Sequence, residues 1–184
     1  DRDGMKGIEP KLMANYRKAL RGMTQLYRDK LDYMHAAWCV ASVPTMAWAK
    51  KVYPESEDAL SDLWNAVLKI SRVDEKDANE NWNEHRASFD KRVHILNHLD
   101  IESVHYTNSL GTDLVVELPE GYVFAGGGSF LDNGNYYFPN IPTEEIFSAP
   151  KKTGVNGKLY SALPLAYNGA IVKDFWFEFK NGQV

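Results

Sequence analysis

A single cysteine, Cys39, is all the thiol chemistry in these 184 residues. That excludes an internal disulfide, and with it the stapled architecture of small secreted domains, and it fits a reducing, cytoplasmic compartment. Within Ala36-Ala-Trp-Cys-Val-Ala41 the thiol reads as a small buried hydrophobe. Long apolar runs are missing too. No stretch of about 18 residues is apolar enough to read as a membrane span, and the sequence has no basic-then-apolar opening of the signal-peptide kind. Positive charge is in short supply: 21 Lys and Arg face 25 Asp and Glu, for a net charge of -4. Phosphate neutralisation needs a basic face, so a nucleic-acid partner is not expected. Lys50-Lys51 and Lys151-Lys152 are only pairs and read as solvated. Repeats and low-complexity tracts are also absent from the sequence.

What is present suits a globule. At 44% hydrophobic, the chain is long enough for one ordinary core or two small ones. The first half reads helical. Leu12, Tyr16, Ala19, Leu20, Met23, Tyr27, Leu31 and Met34 recur at three- and four-residue steps, which predicts one apolar stripe on a long helix starting near Pro10. Its other face carries Lys11, Arg17, Lys18, Arg21 and Arg28. A short buried strand is predicted from Ala37 to Ser42, and after Pro44 a short helix carrying Trp48 and Val52. Ser56 or Glu57 opens a helix whose Leu60, Leu63, Trp64, Val67 and Leu68 make one face. Another helix is predicted from about Asp77 to Leu99 with Trp82, Phe89, Val93 and Leu96 inward.

From Val104 the period becomes strand-like, with Leu114, Val116 and Leu118 facing one way and Val115 and Glu117 the other. Turns are predicted at Asp132-Asn-Gly134, Asn156-Gly157, Asn168-Gly169 and Asn181-Gly182, where Asn-Gly favours the positive φ of a tight hairpin. The expected class is α+β: a mainly helical segment over residues 1–100 with one short strand, then an antiparallel β segment over residues 101–184. Only Gln183 and Val184 follow the last turn, and the chain opens on Asp1-Arg-Asp-Gly without a methionine. It is therefore expected to be a middle fragment, an incomplete domain of a larger enzyme.

The segment richest in chemistry is Asn140-Ile-Pro-Thr-Glu-Glu-Ile-Phe-Ser-Ala-Pro150, which sets two adjacent carboxylates between prolines. In an extended segment neighbouring side chains point to opposite faces, so one glutamate is expected inward, and a buried carboxylate needs a partner or a cation. A one-residue slip in register exchanges the roles of Glu144 and Glu145.

This run resembles the TEE segment of the thermophilic-type metalloaminopeptidases, the family of aminopeptidase T, aminopeptidase S and PepS. Three further segments resemble the same family: Val43-Pro-Thr-Met-Ala-Trp-Ala-Lys-Lys-Val-Tyr-Pro54, then Arg72-Val-Asp-Glu75 leading to Trp82-Asn-Glu-His85, then His105-Tyr-Thr with Gly111-Thr-Asp-Leu114. Together they run across nearly the whole chain. The resemblance implies an enzyme that removes N-terminal residues from peptides at a two-metal site of zinc, cobalt or manganese. It also implies ligands of two glutamates, two histidines and an aspartate, and a homodimer as the full-length protein. It makes Glu145 the first ligand and assigns the others to a C-terminal region outside this chain. No catalytic residue is then expected here, and the fragment alone is expected to bind no metal and to be inactive.

Other motifs carry weaker chemistry. His94 and His98 are an i, i+4 pair, but Ile95 and Leu96 stand where an H-E-x-x-H site needs its glutamate. They read as surface groups, and His35 and His85 as structural. His105 and Asp113 flank the Thr107-Asn-Ser-Leu-Gly111 turn and read as polar structural contacts. Gly126-Gly-Gly128 lacks the Lys and Ser/Thr of a phosphate loop and reads as a close backbone approach. Glu117 with Glu120, or Glu144 with Glu145, are too near in sequence to bracket a glycosidic bond. The alternative to a peptidase is a non-catalytic β-rich module with Tyr136, Tyr137, Phe138, Tyr167, Trp176 and Phe177 lining a peptide or sugar groove.

Overall fold

The computed structural model describes residues 7–73, 77–167 and 170–184. Among the described residues the helices are α1 Pro10–Met23, α2 Gln25–Asp32, α3 Met46–Val52, α4 Ala59–Ile70 and α5 Ala78–His98. A two-residue strand, β1 Val40–Ala41, lies between α2 and α3, and every other strand follows α5. These are β2 Ser103–Thr107, β3 Asp113–Glu117, β4 Ala125–Gly126, β5 Ser129–Phe130, β6 Tyr136–Tyr137, β7 Asn140–Ile141 and β8 Ile146–Phe147. The last four are β9 Val155–Tyr160, β10 Leu165–Tyr167, β11 Ala170–Val172 and β12 Trp176–Phe179. The class is α+β, as the change of hydrophobic period predicts.

The chain forms two compact units, one of residues 1–89 with 127–145, the other of residues 90–126 with 146–184. In the first unit α3 and α4 build the core. Ala49, Ala59, Leu63 and Val67 are buried together, with Trp48, Tyr53 and Leu60 against them. Both helices are capped by short polar side chains, as their orphan N–H groups require: Thr45 accepts from Trp48 N and Asp58 from Ser61 N. Asp58, rather than Ser56 or Glu57, opens α4, while Ser56 donates to Asp62 at 2.6 Å. Phe89 on α5 is fully buried, and the backbone at Gly127 passes so close that an added Cβ would lie 2.9 Å from its ring. That close approach leaves no free space for a side chain at Gly127. Gly127 also has φ +80°, a region that favours glycine.

The sequence and structure part company at the N-terminal helices. The predicted long helix is broken at Thr24, whose φ of -101° and ψ of 12° end α1. Its apolar stripe is uncovered: Leu12, Tyr16, Leu20 and Met23 are exposed, and among its described side chains Met13 is the buried one. Met34, assigned to the stripe, lies beyond α2 at φ 59°. β1 is shorter than predicted and exposed rather than buried, and Cys39 beside it is exposed as well. Both differences have one cause. β1 pairs in parallel with β7 over only two residues, Val40 with Asn140 and Ala41 with Ile141, and nothing among the described residues covers it.

The second unit holds a four-stranded antiparallel sheet in the order β12-β9-β3-β2. Leu114 is its buried residue, while Val115, Val116 and Glu117 are all half-buried, so the predicted alternation on β3 does not show in burial beyond Leu114. Asn156-Gly157 is not a turn. It lies inside β9 opposite Val115 and Leu114, because Gly157 (φ +113°) lets the strand approach so closely that a Cβ would meet the Asp113 carbonyl oxygen at 2.1 Å. Asn181-Gly182 does form a turn, with φ of 52° and 76° and a Lys180–Gln183 bridge. Asp132-Asn-Gly134, in the first unit, turns between β5 and β6 with Gly134 at φ +85°. The predicted turn at Asn168-Gly169 lies outside the described residues.

Accessible surface is large for the mass. The chain exposes 13787 Å² at 20.9 kDa, where a folded chain of that mass is expected to expose about 9,000 Å² and two independent half-mass domains about 11,000 Å². Large apolar side chains are among the exposed residues, including Leu26, Tyr33, Val43, Val123 and Leu163.

Candidate metal-ligand site

Residues 142–145 lie between β7 and β8 and belong to neither strand. The expected alternation of an extended strand therefore does not hold, and both glutamates are exposed. The Ile141–Pro142 peptide is cis. Thr143 is buried, so the segment is pinned through its threonine and presents both carboxylates outward. A cleft of about 370 Å³ is lined by Val40 and Ala41 of β1, by Ser42 after it, and by residues 140–145.

The two carboxylates differ in what holds them. Arg72 Nη2 donates to Glu144 Oε1 at 2.6 Å. His85, buried to 7% exposure on α5, places Nε2 2.8 Å from the Thr143 carbonyl and 3.6 Å from the same Glu144 oxygen. A carbonyl only accepts, so His85 Nε2 carries the proton and donates it. Among the described residues Glu145 has one hydrogen bond, from its backbone N–H to Thr143 Oγ1 at 3.5 Å. Among the described residues its carboxylate has no hydrogen bond or ion pair. An ionised oxygen donor of this kind fits a hard divalent cation.

Arg72 is itself anchored. It ends the turn after α4 at φ 61°, its carbonyl accepts from Asn81 Nδ2 at 3.1 Å, and the preceding Ser71 carbonyl accepts from Trp82 Nε1 at 2.9 Å. Trp82 packs edge-on against His85 and Phe138, and His85 against Phe89. Asp74 and Glu75 of the same sequence segment lie outside the described residues. Neither Arg72 nor Thr143 stands out in the sequence as a site residue. The signal available was the spacing of Trp82 and His85, which puts both on one helical face beneath this turn.

The remaining candidates have contacts of their own. His94 and His98 stack at 4.0 Å between ring centroids, and no group of three or more His, Cys, Asp or Glu side chains among the described residues is placed to hold a metal. His105 and Asp113 form a 2.7 Å pair across β2 and β3, both exposed, and belong to the second unit. His35 pairs with Asp132 at 2.6 Å. Lys151 pairs with Glu117 at 2.7 Å. Of the six aromatics that suggested a binding groove, Tyr136 and Phe138 pack against each other, with Arg86 3.7 Å above the Tyr136 ring. Tyr167, Trp176 and Phe177 fall in the second unit. No helix among the described residues is long and apolar enough to cross a membrane.

The TEE segment is thus carried between β7 and β8 of an α+β frame, the fold class that the resemblance implies. The chain belongs to the thermophilic metalloprotease (M29) family, whose model matches residues 1–184. It is 37% identical to aminopeptidase 2 of Geobacillus stearothermophilus over 184 residues, 99% of this chain and 44% of that protein. To aminopeptidase AmpS of Bacillus subtilis (strain 168) it is 35% identical, over 99% of this chain and 45% of the relative. Among solved structures it matches wild-type AmpT from Thermus thermophilus with a TM-score of 0.86 and 27% identity, over 98% of this chain and 44% of that one. The chain thus spans a little under half the length of the relatives that it matches.

Proposed function

We propose that this chain is part of a metal-dependent aminopeptidase that hydrolyses N-terminal residues from peptides, and that Glu145 is its contribution to a two-metal site. The observation that carries the reading is the contrast within the TEE segment. Glu144 is bound to Arg72, whereas the Glu145 carboxylate lies on the edge of a cleft without a partner among the described residues. The large exposed apolar surface agrees, because a segment of a longer polypeptide leaves uncovered what the rest of that polypeptide packs against.

In this reading Glu145 supplies one anionic oxygen ligand, and Thr143, held by His85, fixes the backbone from which it projects. The metal pair, when bound, supplies Lewis-acid polarisation of the scissile carbonyl and of the attacking water. Zinc, cobalt or manganese suits a site of carboxylate and imidazole ligands. The complete enzyme is proposed to be a cytoplasmic homodimer, and its remaining ligands to come from outside these 184 residues.

A lone carboxylate does not retain a catalytic divalent ion, so the 184-residue chain by itself is proposed to be inactive. The test is hydrolysis of a leucine anilide by the purified chain with added cobalt or zinc. No turnover above the metal-only control is expected, and clear turnover would overturn the assignment of the other ligands to sequence outside this chain.

A further inference from the structure

We infer that Arg72 and His85 are positioning residues for the metal ligand. Together they clamp Thr143 and Glu144 so that the next carboxylate in the chain, Glu145, is presented in one orientation. The inference rests on the reading of Glu145 as a ligand, and it adds an explanation of why two glutamates stand side by side.

Three observations support it. First, the two clamping side chains come from different elements and converge on consecutive residues: Arg72, after α4, takes the Glu144 side chain at 2.6 Å, and His85, on α5, takes the Thr143 carbonyl at 2.8 Å. Two fixed points on adjacent residues leave the segment little rotational freedom, which is how a ligand outside any strand is given a defined direction. Second, the clamp is itself braced by neighbouring side chains. Asn81 and Trp82 bind the backbone carbonyls of Arg72 and Ser71, and His85 is buried against Trp82 and Phe89. Third, an exposed ion pair of this kind is a weak source of stability. The Arg72 and Glu144 side chains are 41% and 60% exposed, and such pairs contribute little to folding. Its value then lies in orientation. Carboxylates that bind metals are themselves usually oriented by neighbouring hydrogen bonds, and loss of such a neighbour weakens metal affinity by roughly 10- to 100-fold. Here the orienting bonds act on the ligand's immediate neighbours in the chain.

The test has two parts. In the 184-residue chain without metal, amide hydrogen exchange over residues 143–147 is compared for wild type, Arg72→Met, Arg72→Lys, Glu144→Gln and Glu145→Gln. Exchange is expected to rise about tenfold in Arg72→Met and Glu144→Gln, to recover in part in Arg72→Lys, and to stay at the wild-type rate in Glu145→Gln. The same variants in the full-length polypeptide are then titrated with zinc by calorimetry. Affinity is expected to fall roughly 10- to 100-fold in Arg72→Met and further in Glu145→Gln. Unchanged exchange in both Arg72→Met and Glu144→Gln, with circular dichroism showing folded chains, overturns the clamp whatever the metal does. Raised exchange with unaltered zinc affinity in Arg72→Met also overturns it as a positioning device. Undiminished zinc affinity in Glu145→Gln instead overturns the ligand assignment on which the clamp rests, so the two failures are told apart.

Discussion

α1 and α4 carry apolar stripes of the same helical period, and the folded chain treats them in opposite ways. α4 buries Ala59, Leu63 and Val67 against α3, is capped by Asp58, and ends in the turn that delivers Arg72 to the TEE segment. α1 leaves Leu12, Tyr16 and Leu20 in the open and has no side-chain cap bond from Glu9. A 3.6-residue period thus states that a helix has an apolar face. It does not state what covers that face. The region that packs α4 also carries Arg72 and His85, the side chains bonded to Glu144 and Thr143.

The contrast is sharpened by substitutions read through chemical denaturation of the chain. Phe89→Ala removes the fully buried ring beneath His85 and should cost about 3–5 kcal/mol, the range for large-to-small changes in a packed core. Gly127→Ala sets a Cβ 2.9 Å from the same ring at a positive φ and should cost about 1–3 kcal/mol through crowding and strain. Asp58→Ala removes the α4 cap and should cost about 1 kcal/mol. On α1, Leu20→Ala and Glu9→Ala should each stay within about 0.5 kcal/mol. Losses of similar size on α1 and α4 would break the comparison, since they would require an α1 packed as closely as the core helix.

Much of this architecture is legible in the sequence. The helices at 59–70 and 78–98 and the strand at 113–117 follow from periodicity, and the helix at 46–52 from the break at Pro44. The errors fall where a local pattern is overruled by its surroundings. Asn156-Gly157 has turn chemistry, but its glycine is required by the close passage of β9 across the Asp113 carbonyl. Val40 and Ala41 read as a buried strand, but pair over only two residues at an exposed position. For the site, the resemblance picks out Glu145 and the structure adds what sequence spacing does not hold. The Arg72 and Glu144 side chains are 72 positions apart and His85 and Thr143 are 58 apart, so their convergence exists only once α4, α5 and the TEE segment are folded. His105 and Asp113, by contrast, make the local polar contact that a cross-strand diagonal provides.

The most direct test of the ligand assignment is a crystal structure of the full-length polypeptide grown with zinc and measured at the zinc absorption edge. An anomalous peak about 2.0–2.2 Å from a Glu145 carboxylate oxygen, with Glu144 still on Arg72, is the predicted result. A metal held by Glu144, or a metal centre that leaves Glu145 uncoordinated, would contradict it.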